Sequence, residues 1–243
     1  MTLAEHRRVV EIVVEQTAGR VPVVAGAGSN DTRRAVELSR EMKAAGATHL
    51  LHVSPMYNKP PQRGIIAHFK AIAEAVDLPI IAYNVPGRTG SNIEAATTLA
   101  LADIPGLAGV KEASGNLGQI EEIIRGRPKH FSVLSGDDAI TLPVMAAGGD
   151  GVISVISNAT PRPMARLCDA CDEGRFDEAR TLHHLLAPWM KAAFIESNPI
   201  PVKAAVAMLG KAENVLRLPL VPLADAHHET VRKALVSAGA LTA

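Results

Sequence analysis

The chain has 243 residues, 25 basic and 25 acidic side chains, and a hydrophobic fraction of 47%. Zero formal charge, with no basic tail or acidic run, removes any electrostatic case for a nucleic-acid partner. No apolar stretch reaches membrane-spanning length, and Met1 to Arg8 lacks the charged-then-apolar order of a signal peptide, so a soluble cytoplasmic protein with no membrane partner is expected.

In chain order, residues 1–18 read as a helix, with Val9, Val10, Val13 and Val14 forming an apolar stripe. A buried strand over 21–28 runs into the glycine turn Gly26-Ala27-Gly28, and Asp31-Thr32 caps a helix over 33–45. Further strands are predicted over 49–55 and 78–86, in a short run closing at Lys111, at the start of 131–138, and over 151–157. Helices fall between them, over 62–76, 93–102, 117–125 and 139–147. Beyond residue 158 the pattern is helical only, over 161–173, 176–196, 201–209 and 224–240, and the single Trp189 is assigned to packing there.

Strand alternating with helix at this spacing means right-handed βαβ units and a parallel sheet. The strands are continuous apolar runs, so both faces are expected to be covered. An open doubly wound sheet and a closed (β/α)8 barrel both fit. By count, about six strands with a helix first favour the open sheet. The placement of unusual residues favours the barrel. Asn30, Tyr57, Tyr83 with Arg88, Lys111 and Asp137 follow five successive strands, which suits a ring of loops better than one switch point.

Several motifs are weaker than they look. Gly26-Ala27-Gly28-Ser29-Asn30 begins like a dinucleotide fingerprint but lacks the third glycine and an acidic residue at the end of the next strand, so a tight turn is the better reading. Cys168 and Cys171 form a CxxC inside an amphipathic helical stretch with no second ligand pair, which reads as structural. Asp137-Asp138 has no third carboxylate at ligand spacing and suits a helix cap. The nine histidines form no HxH or HExxH pattern, and no metal is expected. His183-His184 and His227-His228 are placed on solvated helix faces.

Lys111 is the unusual residue, because an ammonium at the end of a buried strand is costly without a partner. Desolvation can bring a lysine from a reference pKa of ~10.4 towards ~7–8, and a neutral amine in a dry pocket attacks ketones. Taken alone, a lysine that snorkels to solvent or pairs with Glu112 is the simpler reading. The neighbours shift the balance. The chain's two tyrosines, Tyr57 and Tyr83, both fall at strand ends on the same presumed face. A phenol near a Schiff base can shuttle protons, and Arg88 offers a bidentate fork for a carboxylate. Amine, phenol and guanidinium together describe condensation or cleavage of a 2-oxo acid.

Four stretches then carry a resemblance: Tyr83-Asn84-Val85-Pro86-Gly87-Arg88-Thr89-Gly90, Val110-Lys111-Glu112-Ala113-Ser114-Gly115, Leu134-Ser135-Gly136-Asp137-Asp138 and Gly148-Gly149-Asp150-Gly151-Val152-Ile153-Ser154. With Asn198-Pro199-Ile200-Pro201-Val202-Lys203 near the end, the chain resembles the 4-hydroxy-tetrahydrodipicolinate (dihydrodipicolinate) synthase family over essentially its whole length. The resemblance implies an N-terminally incomplete (β/α)8 TIM barrel over 1–158, with a helical region over 159–243 completing and extending it. It implies a lyase of lysine biosynthesis that condenses pyruvate with L-aspartate-4-semialdehyde. Lys111 would form the Schiff base, with no separate cofactor, Tyr83 would move the proton, and Tyr57 would join the relay across a homodimer or homotetramer interface. Arg88 would hold the semialdehyde carboxylate, and the backbone at Ile153, with Gly136 nearby, would contact pyruvate. The arginine in Val85-Pro86-Gly87-Arg88-Thr89-Gly90 looks like the synthase branch rather than N-acetylneuraminate lyase or the keto-deoxy-sugar acid aldolases.

Two departures stand out. The family's Gly-Thr-Thr-Gly-Glu loop, which supplies a relay threonine, is absent from this sequence, so a start further upstream is expected; the competing reading is a truncated, non-catalytic paralogue. His6 and Asn30 match the family's lysine-binding allosteric set, but Met56 replaces an aromatic and Arg34 a glutamate, so feedback inhibition by lysine is expected to be weak or absent.

Overall fold

A computed structural model describes residues 1–242. By internal packing the chain forms two compact units, residues 1–134 and residues 135 onward. The first alternates helix and strand: α1 (Leu3–Thr17), β1 (Val24–Gly26), α2 (Thr32–Ala44), β2 (His49–Val53), α3 (Gln62–Ala75), β3 (Ile80–Asn84), α4 (Pro86–Thr89), α5 (Ala95–Ala102), β4 (Leu107–Glu112), α6 (Leu117–Gly126) and β5 (Ser132–Ser135), whose last residue opens the second unit. That unit continues with α7 (Thr141–Ala146), β6 (Gly151–Val152), α8 (Pro161–Asp172), α9 (Phe176–Ala192), α10 (Ile200–Met208) and α11 (Asp225–Ser237).

In the first unit the strands follow one another in the sheet in chain order, and β1–β2, β2–β3 and β3–β4 pair in parallel. This is the predicted α/β alternation with a C-terminal helical run. Helix α2 starts where Asp31 caps it, accepting from the Arg33 N–H at 3.0 Å. Gly28 explains the turn before it: a Cβ there would lie 2.7 Å from Val53 Cγ1 and 2.9 Å from its backbone nitrogen. The glycine serves close backbone approach. Leu50, Ile65, Phe69, Ile72, Ile80, Leu101, Val110, Ile120 and Ile123 are buried between sheet and helices, each worth about 1.5–3 kcal/mol of transfer free energy.

Some boundaries differ from the sequence reading. Strands β1 and β2 alternate in burial instead of being covered on both faces, and Val24 on β1 is exposed. The stretch read as loop after β3 contains the one-turn helix α4, with Pro86 at its first position and Gly90 closing it at φ +79°. The strand expected over 151–157 is only Gly151–Val152. Its continuation leaves the ladder because the buried Asp138 carboxylate accepts the N–H groups of Val155 (3.0 Å) and Ile156 (3.1 Å), and residues 156–158 then turn as a 3-10 helix. Helix α9 ends at Ala192, short of residue 196.

The second unit has its own core. Trp189 is fully buried with Leu167, Leu186, Val231 and Leu235, and its indole N–H donates to the Ile156 carbonyl at 3.4 Å, so its assignment to packing holds.

Candidate active site

Strands β3 and β4 set the site in the first unit. Tyr83 and Lys111 are register partners, so both side chains leave the same face of the sheet near its C-terminal edge. Lys111 does not snorkel; it is 9% exposed, and its Nζ lies 4.2 Å from the centroid of the Tyr83 ring. Burial pushes the Tyr83 phenol above its usual pKa, and the positive charge of Arg88 pulls the other way. Arg88 sits in α4, whose cap fixes the loop, and its side chain is exposed at the mouth of the strand ends. The three groups that the sequence singled out therefore share one region of the first unit.

Tyr57 is placed differently. It follows β2 with φ +71°, a left-handed conformation that costs energy for a residue with a Cβ, and its side chain is 89% exposed. Its backbone N–H donates to the Thr89 carbonyl at 3.1 Å, tying this loop to the one that carries Arg88. Asn30 joins the same loop system: its amide donates to the Met56 carbonyl (3.2 Å), and the Asn58 amide donates to the Asn30 carbonyl (3.0 Å). His6 is half-buried on α1, and Arg34 on α2 is exposed and paired with Glu37 at 3.0 Å.

Behind the amine and phenol lies a polar cluster that the sequence reading missed. Glu112, fully buried, accepts from Asn84 Nδ2 at 2.6 Å, Ser114 Oγ at 2.7 Å and the Ser114 N–H at 3.2 Å. Asn84, also fully buried, donates to Asn92 Oδ1 (2.7 Å) and accepts from the Ile93 N–H (2.9 Å). Asn92 in turn donates to Gln119 Oε1 at 2.7 Å. Burial raises the Glu112 pKa, opposed by these hydrogen bonds. The only signal in the sequence was an acidic residue beside the lysine; its carboxylate accepts from Asn84 and Ser114.

In the second unit, Gly136 follows β5 and Ile153 follows β6; the Ile153 N–H donates to the Ser135 carbonyl at 2.9 Å, and both residues are half-buried. Asp137 is a cap, accepting from the Ala139 N–H at 2.9 Å, whereas Asp138 is buried and its pKa is raised by desolvation. Cys168 and Cys171 are unbridged thiols on α8, and burial pushes Cys168 up to about 11, far from a reactive thiolate. His183 is half-buried, with its pKa lowered by desolvation, rather than solvated. Among the described residues no three His, Cys, Asp or Glu side chains gather as a metal site.

Parallel strands with following helices, and a strand-end amine set against a phenol with a guanidinium nearby, place the chain in the class of α/β barrel enzymes. The chain belongs to the dihydrodipicolinate synthetase family, whose pattern it matches over residues 1–238. It is 52% identical over 235 residues to the 4-hydroxy-tetrahydrodipicolinate synthase of Pelobacter propionicus, covering 97% of this chain and 81% of that protein. The chloride-inhibited dihydrodipicolinate synthase of Acinetobacter baumannii, solved in complex with pyruvate, superposes with a TM-score of 0.97 at 41% identity, covering 99% of this chain and 83% of that one. The lysine-bound synthase of Cyanidioschyzon merolae superposes with a TM-score of 0.96 at 42% identity, covering 99% and 82%. The barrel expected from the spread of strand-end residues is thus the fold, and the open-sheet alternative falls.

Proposed function

We propose that the chain is a lyase condensing pyruvate with L-aspartate-4-semialdehyde through an imine on Lys111. The observation that carries this reading is the buried Lys111 amine, 4.2 Å from the Tyr83 ring at the C-terminal edge of paired strands. The amine nitrogen adds to the pyruvate ketone carbon, and the carbinolamine loses water to give the imine. The protonated imine draws electrons from the adjacent methyl, which loses a proton and becomes an enamine. That carbon attacks the semialdehyde carbonyl, whose oxygen takes up a proton. The semialdehyde's own amine then displaces Lys111 and closes the ring, so one water is lost overall. Tyr83 is the proton donor and acceptor for these transfers.

Arg88 holds the semialdehyde carboxylate, where an exposed fork at the mouth meets the incoming second substrate. No separate cofactor is needed, because the imine itself is the electron sink. Tyr57, exposed and held in a strained backbone, reaches into the site of a second copy in a homodimer or homotetramer. No helix among the described residues is long and apolar enough to cross a membrane, and a biosynthetic enzyme of this kind works in the cytoplasm. The experiment is a substrate comparison. Pyruvate with aspartate semialdehyde should turn over, and pyruvate with sugar aldehydes or N-acetylmannosamine should not. The reverse preference would move the chain to the sugar-acid aldolases.

A further inference from the structure

The β3–β4 ladder is irregular just before the site. Ile80 pairs with Leu107 but Ile81 pairs with Gly109, so β4 carries one extra residue there, and only beyond this bulge do Tyr83 and Lys111 come opposite each other. The bulge shifts the downstream pairing by one residue, and a further slip of one residue would turn Lys111 to the opposite face. The next register pair is Asn84 with Glu112, on the face behind the amine and phenol. Its side chains are joined at 2.6 Å and fully buried, and Ser114, Asn92 and Ile93 hold both ends.

We propose that Glu112 is a positioning residue: its hydrogen bond to Asn84 locks β3 against β4 past the bulge and so sets Lys111 against Tyr83 for imine formation. The proposal rests on the Schiff-base reading above. Glu112 touches no substrate; it acts through strand alignment. It is the acceptor and Asn84 the donor, and this complementarity makes the lock testable by exchange. Asn84→Asp sets two carboxylates against each other, which forces one of them to take up a proton before the bond can form. Asn84→Asp with Glu112→Gln reverses donor and acceptor at nearly constant volume and restores the bond once the Asn92 amide, which accepts from Asn84 at 2.7 Å, turns to donate.

The measurement is the rate of borohydride-trapped pyruvyl adduct formation, followed by intact mass, on protein shown to be folded by circular dichroism. The Asn84→Asp variant should trap pyruvate about tenfold more slowly than wild type, since sub-ångström misplacement of reacting groups is costly in rate. Its rate relative to wild type should recover from about pH 8 towards about pH 6, as a proton returns to the carboxylate pair. The double exchange should restore the rate to within about threefold of wild type. A merely structural pair would lower melting temperature while leaving the trapping rate and its pH profile unchanged, and that result would overturn the proposal. If Asn84→Asp does not fold, the exchange variant decides: a slow rate in that folded protein also overturns the lock. A wild-type chain that forms no adduct at all would instead defeat the Schiff-base reading and take this proposal with it.

Discussion

Arg88 and Arg34 carry the residue-scale consequences. A charged hydrogen bond to a carboxylate contributes about 1.5–3 kcal/mol, so Arg88→Leu should lower kcat/KM for aspartate semialdehyde roughly 10- to 100-fold. Pyruvate adduct formation should stay near wild type in that variant, because the role proposed for Arg88 is to meet the second substrate only. An equal loss in both steps would place Arg88 on pyruvate. Arg34 is exposed and paired with Glu37 at 3.0 Å, and the family resemblance groups it with His6 and Asn30 in the lysine-binding allosteric set. A free lysine carries its own ammonium, so a titration with lysine should leave the rate unchanged at sub-millimolar levels. Inhibition in that range would contradict the role given to Arg34.

At the scale of elements, the packing of β2 on α2 and α3 predicts an acid-sensitive step. His52 on β2 is fully buried, with Nε2 3.0 Å from Ser39 Oγ, and His68 on α3 is nearly so, with Nδ1 2.9 Å from Thr32 Oγ1. Desolvation, with His68 nearby, lowers the His52 pKa from 6.5 to about 4. The folded state therefore binds a proton less readily than the unfolded chain. Stability from this group is present above about pH 6.5 and is lost as pH falls towards 4, on the order of 3 kcal/mol. Urea titrations at neutral and mildly acid pH should show a smaller acid loss in His52→Gln than in wild type; an equal loss would remove His52 as the cause. The elements themselves show what a sequence carries. Lys111, Tyr83 and Arg88 were legible because reactive side chains ending apolar runs stand out against hydrophobic periodicity. The Asn84–Glu112 bond was not, since it depends on register across a bulge between strands 28 residues apart. The early end of β6 was hidden for the same reason: the Asp138 carboxylate takes backbone N–H groups 17 and 18 residues away, which no local pattern records.

For the whole molecule, an exposed Tyr57 on a strained backbone predicts shared sites between copies. Light scattering should give a mass of at least a dimer. Complementation tests the sharing: Tyr57→Ala and Lys111→Ala chains, each impaired alone, form mixed dimers in which one site collects both defects and the other none. Co-expression should therefore recover activity above either variant by itself. Recovery no greater than the sum of the separate variants would confine Tyr57 to its own chain.

The central claim is that Lys111 is an imine-forming amine, and borohydride reduction in the presence of pyruvate, read by intact mass and peptide mapping, tests it most directly. A single reduced pyruvyl group on the peptide containing Lys111, absent from Lys111→Ala, is the predicted result. A folded chain that gains no such mass, or gains it on another lysine, would contradict the account.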